Sequence, residues 1–285
     1  MHQIKLIIIL FLVVISSSYS QNKNVKSISR DGVFTTQVKN VTIEGQLFLP
    51  EGEGAFPVLI VVSGSDNSTR EGLKSFAQFF NSFGYGLYIY DKRGIGGSTG
   101  TYPLETLENP NDFLSARADD IISIVNLLKT HTKIKTSKIG LFGSSQGTWV
   151  STIVYDKISD DIGLLIMSSG GVTSTRAEQY YEDLIEKSEL SITDANQKIY
   201  DYKGDLGYNP KPTLEKTIIP TLFIYGDKDD SHPTHYDKDI VEGMKKSNFT
   251  IHFYENANHN LLDVNTQSFP KSLFPQLSNW LISHK

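Results

Sequence analysis

The chain carries, far apart from one another, the residue types that together attack a carbonyl carbon: Ser145 inside Gly143-Ser144-Ser145-Gln146-Gly147, the acids Asp227, Asp229 and Asp230, and His259 inside Asn258-His259-Asn260. A serine hydroxyl is a weak nucleophile until a histidine takes its proton, and the imidazole needs a carboxylate to orient it and stabilise its cation. Glycines two places before and two places after Ser145 permit the close backbone approach of a sharp strand-to-helix turn. Ser144 has Phe142 and Gln146 at those distances, and the strand end Ser168-Ser169-Gly170-Gly171 lacks the pattern. Such a pentapeptide also arises by chance in loops, so its weight rests on the elements around it.

Those elements alternate. From Val33 to Leu49, apolar residues such as Val38, Val41, Ile43 and Leu47 stand among polar ones, as expected of two antiparallel strands at a sheet edge. Val58-Leu59-Ile60-Val61-Val62 is a continuous apolar run, the pattern of a strand buried on both faces. Further strands are expected at Gly86 to Tyr90, from Lys138 up to the serine motif, at Ile162 to Met167, at Pro220 to Tyr225 and at Ile251 to Tyr254. Helices are expected at Leu73 to Phe83, Asp112 to Thr130, about Gly147 to Lys157, Thr234 to Lys246 and Phe269 to Ile282. Strand-helix alternation implies a mostly parallel central sheet with helices on both faces, in which ligands bind at the carboxyl ends of the strands. Ser145 follows one such strand, the acids another, and His259 the last.

Between Val172 and Ile219 the character changes. A charged helical stretch from Arg176 to Leu190 carries Tyr180, Tyr181, Leu184 and Ile185, and Tyr200 to Pro212 is a loop rich in Tyr, Gly and Pro. The segment reads as a small helical cap at about 172–219, inserted after the sixth strand. An ordinary crossover helix with a long loop is the other reading.

A net charge of −5 lacks the basic footprint of a nucleic-acid binder, so no nucleic-acid partner is expected. With no cysteine there is neither a disulfide framework nor a thiol nucleophile nor a cysteine-containing zinc site. His232 and His235 lie close in sequence but lack a carboxylate spacing that would support zinc, and read as surface or pocket-rim residues. Lys5, the apolar run Leu6 to Ile15 and Ser18-Tyr19-Ser20 read as a signal peptide over residues 1–20, removed before Gln21. The run is shorter than the roughly 20 residues that span a bilayer, so no membrane anchor is expected after cleavage. The mature chain, 21–285, is then one domain, exported to the periplasm or beyond the cell.

On these residues the chain resembles the α/β-hydrolase superfamily over essentially everything after the signal segment, and within it bacterial serine hydrolases of an esterase or serine-aminopeptidase-like branch. Gly64-Ser65-Asp66 with Arg70 is similar to that group's first loop, and Asp91-Lys92-Arg93-Gly94-x-Gly96-x-Ser98 is similar to a characteristic turn of the superfamily. The resemblance implies an α/β-hydrolase fold and the chain order Ser, Asp, His. It selects Asp229, three residues after Gly226 and four before Pro233, and makes His259 the base. It also implies an oxyanion hole made by the main-chain N–H groups of Gln146 and Ser65, although the His-Gly common in the first loop is Ser63-Gly64 here and the next glycine is Asp66. Asp91 and Arg93 are expected to fix their turn, and Arg70 to be a solvated surface residue or to line the cleft. No cofactor is implied. The activity expected is hydrolysis of a small carboxylic ester through an acyl-enzyme on Ser145. Amide or peptide hydrolysis on the same residues is one alternative, and a non-catalytic binding protein on the same fold is another.

Overall fold

The computed structural model describes residues 29–102 and 110–285. The expected signal peptide lies outside them.

Eight strands form one sheet: β1 (Ser29–Val38), β2 (Val41–Leu49), β3 (Phe56–Val62), β4 (Gly86–Tyr90), β5 (Ile134–Ser144), β6 (Leu164–Ser168), β7 (Thr221–Gly226) and β8 (Phe249–Tyr254), in the spatial order β1-β2-β4-β3-β5-β6-β7-β8. β1 and β2 pair antiparallel, β2 joins β4 antiparallel, and every pairing from β4 to β8 is parallel. The expected edge hairpin and mostly parallel body are both present.

The helices are α1 (Arg70–Leu73), α2 (Ser75–Ser82), α3 (Pro110–Lys129), α4 (Gln146–Ile158), α5 (Thr175–Glu186), α6 (Ile192–Lys198), α7 (Lys211–Lys216), α8 (Thr234–Gly243) and α9 (Leu273–Ser283). α1 and α2 replace the single helix expected from Leu73. Their hydrogen bonding breaks at Lys74, whose backbone stays helical at φ −58° and ψ −32°.

The continuous apolar runs are explained by what lies on each side of the sheet. Val58, Ile60 and Val62 of β3, with Leu165 and Met167 of β6, pack into one core with Leu114, Ala118 and Ile121 of α3 and Trp149 and Val154 of α4. Leu59 of β3, with Leu164 and Ile166 of β6, packs into the other core with Phe79 and Phe80 of α2 and Leu277 and Trp280 of α9. Each fully buried Leu, Ile or Phe contributes roughly 1.5–3 kcal/mol. A surface pair such as Lys129–Asp161 contributes at most about 1 kcal/mol. The strand ends that carry the candidate site are therefore fixed by the two cores and not by the charged periphery.

Between β6 and β7 lie α5, α6 and α7, with a small apolar cluster of Ala177, Tyr181, Leu184, Ala195 and Ile199. No helix among the described residues is long and apolar enough to cross a membrane.

Candidate active site

β5 ends at Ser144 and α4 begins at Gln146, which leaves Ser145 alone to turn the chain. It does so at φ 52° and ψ −129°, a region that residues with a side chain rarely occupy and that persists only where the surroundings enforce it. The glycines of the motif show how. A Cβ on Gly147 would overlap the carbonyl oxygen of Val62, so the start of α4 touches the end of β3 directly. A Cβ on Gly143 would come within 2.8 Å of Gly147 O and of Ser151 Oγ. Gly64, just beyond β3, would place a Cβ 3.2 Å from that of Ser145, so the loop after β3 lies against the serine.

His259 and Asp229 meet as expected. His259 Nδ1 lies 2.9 Å from both carboxylate oxygens of Asp229, which is 0% exposed beyond the end of β7. Asp229 Oδ1 also accepts main-chain N–H groups from Ser231 (2.9 Å) and His232 (2.8 Å), so the carboxylate is fixed before the imidazole reaches it. The His259 side chain keeps 22% of its surface. Burial lowers its pKa, but the charge of Asp229 and its hydrogen bond outweigh burial, and the net shift is upward from 6.5. Asp227 pairs with Lys228 and Asp230 is exposed, so neither competes for the histidine.

The end of β6 ties the serine to the histidine. Ser145 N donates to Ser168 O (2.9 Å), and the next residue, Ser169, donates its hydroxyl to His259 O (2.7 Å). Among the described residues no hydrogen bond joins Ser145 Oγ to the His259 ring.

Behind the acid lies a network that sequence reasoning misplaced. His232, expected at the surface or a pocket rim, is 1% exposed. Its Nδ1 meets Glu178 of α5, and its Nε2 lies 2.7 Å from Asp237 of α8. Asp237 also accepts from Val172 N (3.1 Å) and from the hydroxyl of Thr173. Burial lowers the His232 pKa, yet Asp237 and Glu178 raise it well above 6.5 and hold the ring as a cation. Tyr181 of α5 donates its hydroxyl to Asp229 O (2.8 Å), so α5 grips the acid loop at two points. His235 is exposed, edge-on to Phe253. Among the described residues no group of three or more His, Cys, Asp or Glu is placed to hold a metal ion.

Around the first loop, Asp91 and Arg93 hold their turn as expected: Asp91 Oδ2 accepts from Gly97 N (2.9 Å), and Arg93 bonds Asp120 (2.6 and 2.8 Å). Arg70, expected at the solvated surface or lining the cleft, has a side chain only 14% exposed. It is ion-paired with Glu44 and, at 2.5 Å, with Asp91. Gly64 is buried and Ser65 is exposed. Two cations that the sequence reading passed over, Lys92 and Arg117, are each 2% exposed beside this loop. Arg117 had a visible signal: it interrupts the apolar stripe of α3 between Leu114 and Ile121. Lys92 had none beyond its place inside Asp-x-Arg-Gly.

Comparison with known proteins agrees with this architecture. A family model described as the prolyl oligopeptidase family matches residues 72–282. Among curated relatives, the mouse acyl-coenzyme A thioesterase 6 is 26% identical over 205 residues, covering 68% of this chain but only 45% of its own length. An uncharacterised 31.7 kDa protein of Escherichia coli is 21% identical over 279 residues, 83% of this chain and 94% of that one. Among solved structures, an esterase of Pyrococcus furiosus superposes with a TM-score of 0.66 at 17% identity, over 90% of this chain and 91% of the other. Est1E of Butyrivibrio proteoclasticus, solved with ferulic acid, superposes with a TM-score of 0.63 at 16% identity, over 88% and 98%. These structural likenesses establish the α/β-hydrolase fold.

Proposed function

The chain belongs to the prolyl oligopeptidase family of α/β-hydrolases, and from that premise we propose that it is a serine hydrolase cleaving carboxylic esters through an acyl-enzyme on Ser145. The observation that carries the proposal is the equal 2.9 Å approach of His259 Nδ1 to both oxygens of the buried Asp229, on the acid and base that stand in chain order after a strained Ser145.

In this reading Ser145 Oγ attacks the ester carbonyl carbon while His259 Nε2 takes the hydroxyl proton. The tetrahedral oxyanion accepts hydrogen bonds from Gln146 N–H and Ser65 N–H. Collapse breaks the C–O bond to the alcohol, which leaves with the proton from His259. Water then attacks the acyl-enzyme by the reverse use of His259, and the carboxylic acid departs. Asp229 keeps Nδ1 protonated and stabilises the imidazolium without itself gaining the proton. Gln146 heads α4, where N–H groups point out of the helix and favour developing negative charge. The helices α5 to α7 serve as the cap, with the grip of Tyr181 and Glu178 on the acid loop supporting that role.

The test is turnover of p-nitrophenyl acetate or butyrate by the mature protein, with fluorophosphonate labelling of Ser145. Hydrolysis that disappears in Ser145→Ala is the expected result. The absence of both turnover and labelling in the wild type rejects the enzyme and favours a binding protein on this fold.

Peptide or amide hydrolysis is the second reading, and the family itself favours it. Glu182 of α5, whose carboxyl burial and the flanking Glu178 and Glu186 push up to about 7, would then face a substrate ammonium. Higher kcat/KM on aminoacyl p-nitroanilides than on short acyl esters would select it. The proposal also includes export, and a mature protein whose mass begins at Gln21 is the expected product.

A further inference from the structure

The two buried cations beside the first loop make their shortest hydrogen bonds to carbonyl oxygens and not to carboxylates. Lys92 Nζ donates to Gly64 O at 2.8 Å and to Asp66 O, with the Asp66 carboxylate farther away at 3.7 Å. Arg117 Nη2 donates to Ser63 O at 2.5 Å, and its Nη1 donates to the side-chain oxygen of Gln146 at 2.6 Å. A charge taken out of water is costly unless it is paired. One ion pair at 3.7 Å and a set of neutral carbonyl oxygens are weak compensation for two such charges side by side, which calls for an account of what the arrangement does.

The geometry of the peptide unit supplies one. In a trans peptide the C=O and the N–H point in opposite directions. The Gly64 carbonyl and the Ser65 N–H belong to one peptide, so an ammonium holding the oxygen on one side aims the N–H to the other. It also draws electron density toward the oxygen and makes that N–H a stronger donor, as hydrogen bonds in series do. Gly64 lies against Ser145, so the loop that carries this peptide borders the serine side chain. Arg117 adds a second constraint, because one guanidinium holds the loop through Ser63 O and the residue after the serine through the Gln146 side chain.

We propose that Lys92 and Arg117 are positioning residues of the oxyanion hole: Lys92 fixes and polarises the Ser65 donor, and Arg117 locks the distance between that donor and Gln146. The proposal rests on the reading of Ser145 as nucleophile. It also accounts for the departure of this loop from the His-Gly-x-Gly pattern, since with Ser63 and Asp66 in those places the loop is held from outside, by side chains of β4's following turn and of α3. The field of two cations a few ångströms behind the donors favours negative charge that appears only in the transition state.

The charge on Lys92 is titratable. Burial first, and then the neighbouring Arg117, pull its pKa from 10.5 down to about 8, against the opposing effect of Asp66. The groups that face it are Asp66 on the loop after β3, Arg117 on α3, and the Tyr102 ring, whose centroid lies 5.2 Å from Nζ.

The experiment uses the mature full chain and p-nitrophenyl butyrate. Lys92→Met, Lys92→Gln and Arg117→Met are each expected to lower kcat by roughly tenfold to a hundredfold with KM little changed, because an interaction used only in the transition state is lost. Inhibition by a trifluoromethyl ketone with the same acyl chain should weaken by a similar factor. In the wild type, kcat should fall as pH rises through about 8, and Lys92→Met should lack that fall. Unchanged kcat in folded variants, or a rise in KM alone, overturns the proposal. Should the variants fail to fold, the wild-type profile decides: a kcat that stays level well above pH 8 overturns it, and an alkaline fall supports it. Ser145→Ala separates the levels. If that variant is inactive while Lys92→Met is unimpaired, the positioning proposal alone fails; if Ser145→Ala stays active, the nucleophile assignment fails first.

Discussion

The main-chain N–H of His232 lies 2.8 Å from Asp229 Oδ1, while the ring of the same His232 is bound between Glu178 and Asp237. One residue thus orients the acid of the site with its backbone and secures α5 and α8 with its side chain. The two roles separate experimentally, because only the second depends on the imidazole.

His232→Gln is expected to lower stability by roughly 3–5 kcal/mol, the usual result of removing one member of a buried charged set. Activity of the remaining folded protein should fall less than tenfold, since the N–H to Asp229 survives. The pH dependence has a definite sign. A histidine whose folded pKa is raised contributes stability in full below its unfolded value near 6.5 and loses it as pH rises through the folded value. Urea unfolding from pH 6 to pH 9 should show a wild-type decline that His232→Gln lacks, and parallel curves would count against a charged His232.

Asp229→Asn should reduce kcat by roughly a thousandfold to ten-thousandfold, because an amide cannot hold the required tautomer of His259. Asp227→Asn should stay within tenfold of wild type, its pairing being with Lys228. The opposite ranking in steady-state kinetics would move the acid.

The proposed mechanism requires neutral His259, and Asp229 holds its pKa above 6.5. The acid limb of kcat/KM should therefore lie above pH 6.5 in the wild type. A limb at or below pH 6 would contradict the Asp229–His259 geometry.

Gly147→Ala should be far worse than Gly64→Ala. The first forces a methyl into the Val62 carbonyl, with overpacking that costs roughly 1–3 kcal/mol, and it displaces the start of α4 together with Gln146. The second meets Ser145 Cβ at 3.2 Å and needs a shift of a few tenths of an ångström. Thermal melts and p-nitrophenyl butyrate assays distinguish the two; equal behaviour would mean the turn is looser than its contacts indicate.

Much of this was legible because it is written in local pattern. Val58 to Val62 reads as a two-face strand since both of its faces meet apolar helices, and Gly143 and Gly147 mark a turn whose contacts exclude any Cβ. Asp229 was separable from Asp227 only through resemblance, because what distinguishes them, complete burial and two main-chain N–H donors, depends on how the loop closes. His232 and Lys92 were hidden for the same reason, whereas Arg117 was marked by its place in the apolar stripe of α3. A charged side chain looks like surface until distant residues surround it, and the hydrogen-bond acceptors closest to Lys92 are carbonyls, which carry no trace in sequence.

The bond between Glu178 and His232 sets a rule for anyone who would alter the specificity of this protein by exchanging the segment between β6 and β7 for a relative's. The segment invites such grafting, since it has its own apolar cluster and joins the sheet through two strand ends. Yet it also supplies one of the two counterions of a buried cation. A transplanted segment that does not bring an acid to position 178 would strand that cation beside Asp229, and a library of grafts would be sorted by folding before substrate choice was ever sampled.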